Sequence, residues 1–276
     1  YFLFMLFSSS PETQSKLSTL LGFSPFSVLG FLLAGIQLFP FLEYLQSSQI
    51  FTSRAGENTN FLPAQLFSLN AVPDLFGNQA ISHFFLNYSN YNETTSGYAG
   101  LTMLFFAFLA ILYLRKEKIV IFFSALALLS LAIVYKAPFV FNAFTSLPVF
   151  DKNANHRMLF IFAFSVVALG TLFLSNILDS KIRVKKKTFA ILWAVFAAFI
   201  AGICLYSLKY FGSLIDDTEK HAAFLQWVAK LYALDLLLIL LIVVFLKKTK
   251  MFIWALLFLV LLEVGSHIMI YEPVID

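Results

Sequence analysis

The feature that most constrains this sequence is a series of continuously apolar runs. A helix rises 1.5 Å per residue, so about twenty apolar residues cover the roughly 30 Å hydrocarbon core of a bilayer. After a shorter apolar stretch at 2–7, seven runs meet this length; they cover 23–45, 98–114, 119–135, 157–178, 188–208, 224–246 and 251–270. The sequence therefore predicts a membrane protein with several spans rather than a soluble domain.

These runs favour helices over a β-barrel. They are apolar throughout, whereas barrel strands alternate apolar and polar residues over about ten positions. Composition agrees, since 60% of the residues are hydrophobic and 12% are charged, whereas soluble domains have about 25% charged residues. We predict an all-α, polytopic transmembrane helix bundle of about seven spans with long extracytoplasmic loops, forming a single transmembrane domain over 1–276.

Both ends of the sequence lie beside apolar runs. Residues 2–7 are similar to the second half of a span and lack the features of a signal peptide, and 271–276 follow the last run directly. We therefore expect 1–276 to be a fragment of a longer protein with a partial span at its N-terminus.

The basic residues predict the orientation of the spans. Lys and Arg cluster in the connections 115–118, 181–187 and 247–250, which together with Lys16 hold 12 of the 19 Lys and Arg residues. Because cytoplasmic loops are enriched in these residues, we place the clusters inside the cell. The connections 46–97, 136–156 and 209–223 then face outward, and we expect any aqueous chemistry there.

The connection 46–97 is far longer than the usual link of about two to eight residues between helices. Many of its residues are apolar, which argues against disorder, so we expect it to pack back on the helices in short pieces. Its stretch 87–93 combines amides such as Asn92, the ring of Tyr91 and the carboxylate of Glu93. These groups suit a sugar-binding or general-base site. A polar helix start with interfacial aromatic residues is the alternative.

Several cations stand at predicted outer positions. His156 and Arg157 directly precede or begin a span, where Arg can bind a lipid phosphate through two hydrogen bonds. Arg54 is a second candidate phosphate ligand, and Lys136 has the same interpretation. Unspecific anchoring to lipid headgroups is the alternative for each of them.

Three acidic residues lie within predicted spans or at their ends. Glu43 ends the first full span and is a candidate for proton transfer. Asp235 and Glu263 lie inside later spans, where an ionisable residue is costly unless it is paired or faces a cavity. A hydrogen bond between helices is the simplest interpretation of these two.

The sequence offers little for metal binding. The run Asp216–Glu219 with His221 nearby is compatible with a divalent cation, but acidic loop runs are usually only solvated. The single cysteine, Cys204, excludes an intrachain disulfide and a cysteine-rich metal site. We predict no metal site and no cofactor, and leave open whether Asp216 and Asp217 bind a metal.

Four segments in order along the chain resemble signatures of the bacterial YfhO-like membrane proteins. They are 33–43, 73–77, Asn90–Glu93 with Gly97–Gly100, and 155–164. The resemblance implies a glycosyltransferase of the GT-C type in the bacterial plasma membrane. Such an enzyme takes a sugar from a polyprenyl-phosphate carrier, here undecaprenyl phosphate, and adds it to a cell-envelope polymer such as lipoteichoic acid.

The resemblance also implies roles for individual residues. Glu43, Asn92, Glu93 and Arg157 match recurring polar positions of the family, although His156-Arg157-Met158 stands where many relatives have Asn-Arg-Phe. A catalytic carboxylate of the first outer loop would lie upstream of Tyr1. On this hypothesis Glu43 and Glu93 are catalytic, and the substrate-binding residues are Arg54, Tyr91, Asn92, His156 and Arg157.

The expected partners are a lipid-linked sugar, an envelope polymer and the membrane, and not nucleic acid, because the net charge of +4 is explained by the cytoplasmic connections. A lipid-linked-sugar flippase or another transporter, using Asp235 and Glu263 as a relay, is the leading alternative. Transporters usually show inverted repeats and broken helices, which are not recognisable in this sequence. A non-catalytic membrane scaffold is the third possibility.

Overall fold

The fold is helical apart from a small pair of strands. The computed structural model describes residues 13–47, 61–78, 83–86, 97–147, 150, 154–179, 181–182, 184–215, 218–245, 254–255 and 258–263. The helices are α1 (Thr13–Ser47), α2 (Leu101–Tyr113), α3 (Lys118–Val134), α4 (Pro138–Thr145), α5 (Leu159–Leu178), α6 (Lys186–Phe211) and α7 (Thr218–Phe245). Residues 258–263 are also helical, and β1 (Gly77–Asn78) pairs antiparallel with β2 (His83–Phe84). The predicted all-α class is confirmed.

Contacts divide the chain into two compact units, 1–60 with 142–154 and 61–141 with 155–276. The first contains α1, a helix of 35 residues that includes Pro25 and Pro40. Pro25 lacks the N–H that would bond to the carbonyl of Leu21, and the Ser24 hydroxyl donates to that carbonyl at 3.0 Å instead. The large apolar side chains of 21–44 are exposed, as expected for a helix that faces lipid.

In the second unit, α2 and α5 run parallel and pack closely. The rings of Phe106 and Phe173 stack with centroids 6.0 Å apart. A Cβ on Gly170 would lie 3.1 Å from the Met103 carbonyl oxygen. The absence of a side chain at Gly170 therefore lets the two backbones approach each other, and α3 packs alongside α5 as well.

Aromatic rings join α6 to this centre. The ring of Phe105 on α2 lies 5.3 Å from Phe189 and 5.1 Å from Phe196, measured between centroids. All three side chains are buried. The helix α7 packs against both α2 and α6, so that α2 has neighbours on several sides.

The two ends of the second unit differ in chemistry. At the end where α2 and α5 finish and α3 and α6 begin, the exposed cations among the described residues are Arg115, Lys116, Lys118, Lys181, Lys185, Lys186 and Lys187. We name it the basic end. At the opposite end Leu62 N–H donates to the Val134 carbonyl at 2.8 Å, and Phe76 packs edge-on against Phe211. We name this the loop end; the third predicted basic cluster, 247–250, lies outside the described residues.

The described residues confirm part of the predicted set of spans. Within the described residues, four helical segments are long and apolar enough to cross a membrane, at 21–44, 155–178, 186–214 and 218–240, and a fifth if α3 and α4 count as one bent span. The predicted span 98–114 is the shorter helix α2, whose 13 residues cover only about 20 Å. The predicted polar connection 136–156 contains α4, and most of 251–270 lies outside the described residues.

Candidate functional site

The segment 61–78 covers the loop end of the bundle. Its 3-10 helix Ala64–Asn70, which we name the roof helix, buries Leu66 and Leu69. Leu62, just before it, is also buried. The expectation that the connection 46–97 packs back on the helices is therefore confirmed for this part of it.

Polar bonds fix the roof helix to two transmembrane helices. The Ser207 hydroxyl donates to the Gln65 carbonyl, so the 2.7 Å contact between the Ser68 and Ser207 hydroxyls has Ser68 as its donor. At the other end of the roof helix, Asn70 Nδ2 donates to the Tyr135 hydroxyl at 2.6 Å. The roof helix is thus bonded to α6 through Ser207 and to the end of α3 through Tyr135.

His221 attaches the segment after the roof helix to α7. Its Nε2 lies 3.1 Å from the Leu75 carbonyl oxygen, which can only accept, so Nε2 is the protonated nitrogen. The ring stacks on Phe76 and contacts Phe85, with centroid distances of 6.2 and 5.1 Å. The sequence suggested a metal ligand here, whereas the structure places His221 in a packing and hydrogen-bonding role; Asp216 and Asp217 lie outside the described residues.

The chain entering α2 is non-helical deep inside the second unit. A Cβ on Gly97 would lie 3.2 Å from a Leu159 methyl group, whereas Met103 is level with Gly170. From Leu159 to Gly170, α5 advances eleven residues, about 16 Å at 1.5 Å per residue. The chain from Gly97 to Met103 covers the same distance with only six residues. Gly97–Gly100 must be nearly extended, and α2 begins more than two turns below the loop end of α5.

A carboxylate occupies the start of α2. The Thr102 hydroxyl donates to Glu263 Oε1 at 2.6 Å, and the Thr102 backbone N–H donates to the same oxygen at 3.2 Å. Glu263 is only 3% exposed. The N–H groups at a helix N-terminus lack intrahelical partners and favour a hydrogen-bond acceptor there, so Thr102 and the start of α2 provide donors for the buried Glu263 carboxyl group.

Further polar groups lie near Tyr98. Tyr98, in the extended segment, is hydrogen-bonded to Tyr232 of α7. The carboxyl groups of Asp74, Asp235 and Glu263 all lie close enough to Tyr98 to interact with it electrostatically. We name these five residues the acid–tyrosine cluster. Carboxylates and phenols together can bind hydroxyl groups and move protons.

The residues predicted as a site are placed as follows. Glu43 is exposed near the end of α1, in the first unit. In the second unit, His156 is 4% exposed and Arg157 is exposed, both on the 3-10 helix Asn155–Met158 that leads into α5 at the loop end. The other predicted residues lie outside the described ones; they are Arg54, Tyr91, Asn92 and Glu93.

Sequence reasoning missed most of the acid–tyrosine cluster. Asp74 and Tyr98 lie within two of the four family-like segments, but no role was predicted for either. Thr102 and Tyr232 carry no recognisable pattern, because their partners lie more than a hundred residues away. Among the described residues, no group of three or more His, Cys, Asp or Glu side chains could hold a metal ion.

Helices long and apolar enough to cross a membrane define a multi-pass helical membrane protein. Comparison of the chain with protein-family models, with curated proteins and with solved structures found no match. Any more specific function therefore depends on the site itself and on the sequence signatures.

Proposed function

We propose that this protein is a membrane glycosyltransferase of the YfhO-like, GT-C type. It would transfer a sugar from a polyprenyl-phosphate carrier to a cell-envelope polymer, such as lipoteichoic acid, at the outer face of the bacterial plasma membrane. The observation that carries the proposal is the acid–tyrosine cluster, in which three carboxyl groups lie within electrostatic range of Tyr98 and Tyr98 is hydrogen-bonded to Tyr232. These are the groups that sugar binding and proton transfer require.

Arg157 has the phosphate-binding role in this proposal. Its side chain is exposed at the loop end of α5, away from the exposed lysines of the basic end. By the positive-inside rule the loop end faces outward, where the carrier presents its sugar. The carrier phosphate is the leaving group, and a guanidinium beside it stabilises the charge that develops in the transition state. Buried His156 would position Arg157 rather than touch the carrier.

The proposal also gives roles to the other residues that the sequence singled out. Glu93 and Asn92 orient sugar or acceptor hydroxyls, Tyr91 stacks on the sugar ring, and Arg54 is a second phosphate ligand. Glu43 assists proton transfer or orders the outer loop. The direct substrates are the lipid-linked sugar and the polymer, and no cofactor is required for this reaction.

Replacing Arg157 tests the phosphate role. In the full-length protein, Arg157→Ala should lower sugar transfer about a hundredfold or more, as when one group that stabilises transition-state charge is lost. Arg157→Lys should retain part of the activity, because lysine keeps the charge but not the bidentate geometry. The exposed Lys209, also at the loop end, is the matched control, and Lys209→Ala should transfer sugar normally. Unchanged turnover in Arg157→Ala at equal expression would contradict the role.

The structure also provides an observation that favours the second candidate, a lipid-linked-sugar flippase or another transporter. The helix α2 begins inside the bundle after the nearly extended Gly97–Gly100, and its first turn faces the Glu263 carboxylate. Discontinuous helices whose ends meet charged groups deep in the membrane are typical of transporters. Non-helical backbone at this depth is tolerated only where protein or a cavity surrounds it.

Two assays on the same purified full-length protein separate these candidates. Sugar transfer is measured in detergent, where sidedness is lost, and carrier flipping is measured in sealed vesicles. A transferase shows the first activity and a flippase only the second, while a scaffold shows neither. Glu263→Gln should abolish flipping if Glu263 is a transport relay, whereas Arg157→Ala should lower sugar transfer about a hundredfold or more if the proposal is correct.

A further inference from the structure

A pocket of about 400 Å³ lies between α3 and α6 beneath the roof helix. Its volume is within the range of about 300–1,000 Å³ found for small-molecule sites. The wall residues on α6 belong to a segment long enough to span the membrane, and one of them, Tyr206, is 57% exposed. The pocket therefore lies at a side of the bundle that lipid covers; its wall consists of Ala64, Gln65, Phe67, Ser68, Leu131, Ala132, Tyr135, Ile203, Tyr206 and Ser207.

The serines of this wall use their hydrogens within the protein. Ser68 donates to Ser207, and Ser207 donates to the Gln65 carbonyl. Neither serine keeps a hydroxyl hydrogen for a ligand. Most of the other wall residues are aliphatic or aromatic. Because the serine hydroxyls already donate within the protein, the wall suits a hydrocarbon chain better than a sugar.

The residue that follows the wall on α3 has an unusual backbone. Lys136 comes directly after Tyr135 and has φ 55°, and it is the one non-glycine residue with positive φ in the described ranges. Ala137 N–H donates to the Ala132 carbonyl at 2.8 Å and Lys136 N–H to the Ile133 carbonyl at 3.3 Å. This is the Schellman ending of a helix, in which glycine is strongly favoured at the position that Lys136 occupies. The backbone conformation does not favour lysine at this position, so we look for a role of its side chain.

Aromatic rings hold the Lys136 side chain. Its ammonium nitrogen lies 4.2 Å from the centroid of Phe61 and 5.7 Å from that of Phe141. The faces of aromatic rings attract cations. They keep this positive charge near the loop end of α3, one residue beyond the pocket wall.

We propose that the pocket binds a hydrocarbon chain of an anionic phospholipid and that Lys136 binds the phosphate of the same lipid. The 17 residues of α3 measure about 26 Å at 1.5 Å per residue, close to the thickness of the hydrocarbon core, so its end at Lys136 lies near the headgroups. A phosphate beside Lys136 would place its chain along the wall below. Basic residues at this level attract anionic lipids. This lipid site is separate from the acid–tyrosine cluster and does not depend on the proposed glycosyltransferase activity.

The test is lipid binding by the purified full-length protein, measured by native mass spectrometry. The probes are phosphatidylglycerol and phosphatidylcholine with identical acyl chains. Wild-type protein should retain phosphatidylglycerol preferentially, and Lys136→Gly should weaken that retention about fivefold, the effect of removing one lysine near an anionic lipid. Glycine suits the backbone at this position, so this variant keeps its fold. Lys136→Arg, which keeps the positive charge, should retain the preference.

The pocket is tested separately from the lysine. Ala132→Phe places a ring in the wall and should reduce the bound phospholipid, whereas Ala198→Phe, at an exposed position of α6, should not. Equal retention of the two lipids by wild-type protein would overturn the proposal, as would a preference that survives Lys136→Gly. Occupancy that is the same in Ala132→Phe and Ala198→Phe would also overturn it. So would displacement of phosphatidylglycerol by an equimolar prenyl phosphate, which would assign the site to the carrier.

Discussion

Gly97 and Gly100 let the chain pass between polar side chains that leave no space for a Cβ atom. On Gly97, that atom would lie 1.9 Å from Asn70 Oδ1, and on Gly100 it would lie 2.8 Å from Glu263 Oε2. Gly100 also has φ 87°, a conformation that residues with side chains rarely adopt. These two glycines therefore determine where Tyr98 lies in the acid–tyrosine cluster.

Replacing Gly100 tests this close approach. Gly100→Ala should destabilise the protein by about 1–3 kcal/mol from backbone strain alone, and further if Glu263 is pushed from the start of α2. Thermal unfolding in detergent measures the effect. Gly202 lies inside α6 with open space around it, so Gly202→Ala is the control and should be at least as stable as wild type. An identical melting temperature for Gly100→Ala and wild type would show that the strain is absent.

Single residues could be predicted only in part from the sequence. Glu263 was recognised as an ionisable residue in a span that needs a hydrogen bond between helices, and its bonds to Thr102 confirm this. The identity of that partner was not predictable, because 161 residues separate the two and neither follows a periodic pattern with the other. Gly97–Gly100 belongs to one of the family-like segments of the sequence. Its extended conformation was not predictable, because it depends on the helices around it.

The sequence predicted best those elements whose position depends on the burial of apolar residues. The apolar residues of 61–78 indicated packing on the bundle, and they are buried there. The start of α2 was placed too early, because mean hydropathy counts apolar residues without regard to the backbone. Gly97 and Gly100 lie in non-helical chain before α2, although the mean hydropathy is high there. The helix α4 was missed because the sharp turn at Lys136, which ends α3, also separates α4 from the preceding apolar run.

His221 is the residue with which to test how firmly the loop segment is attached. His221→Ala removes the hydrogen bond to Leu75 and the contacts with Phe76 and Phe85, which should lower local stability by about 2–4 kcal/mol. Amide hydrogen exchange in 72–78 should then accelerate strongly, while exchange in α5 stays unchanged.

A conservative variant separates the two contributions of this side chain. His221→Phe keeps a ring beside Phe76 and Phe85 but cannot donate to the Leu75 carbonyl, so its exchange rates should lie between those of His221→Ala and wild type. Glu219→Ala, an exposed change on the same turn of α7, should match wild type. Unaltered exchange in 72–78 of His221→Ala would mean that the roof helix alone holds the segment.

At the scale of the whole molecule, charge separates the two ends of the second unit. The exposed cations of 115–118 and 181–187 collect at one end, and the roof helix with its buried polar contacts covers the other. The sequence predicted this separation because cations sort between alternate connections. It could not predict the acid–tyrosine cluster, which requires the segment 61–78, α7 and the 258–263 stretch to come near Tyr98.

The helix α6 allows a direct test of orientation, because it has a lysine near each end. Lys187 and Lys209 are both exposed, and the apolar segment 186–214 that contains them has 29 residues, enough to span a bilayer. With the basic end inside the cell, an impermeant thiol reagent added to intact cells should label Lys209→Cys and not Lys187→Cys, in a protein whose Cys204 is replaced by alanine. Labelling of both after the membrane is opened is the control for accessibility. The reverse pattern would place the loop end in the cytoplasm, and the proposed site would then face away from any outer-leaflet carrier.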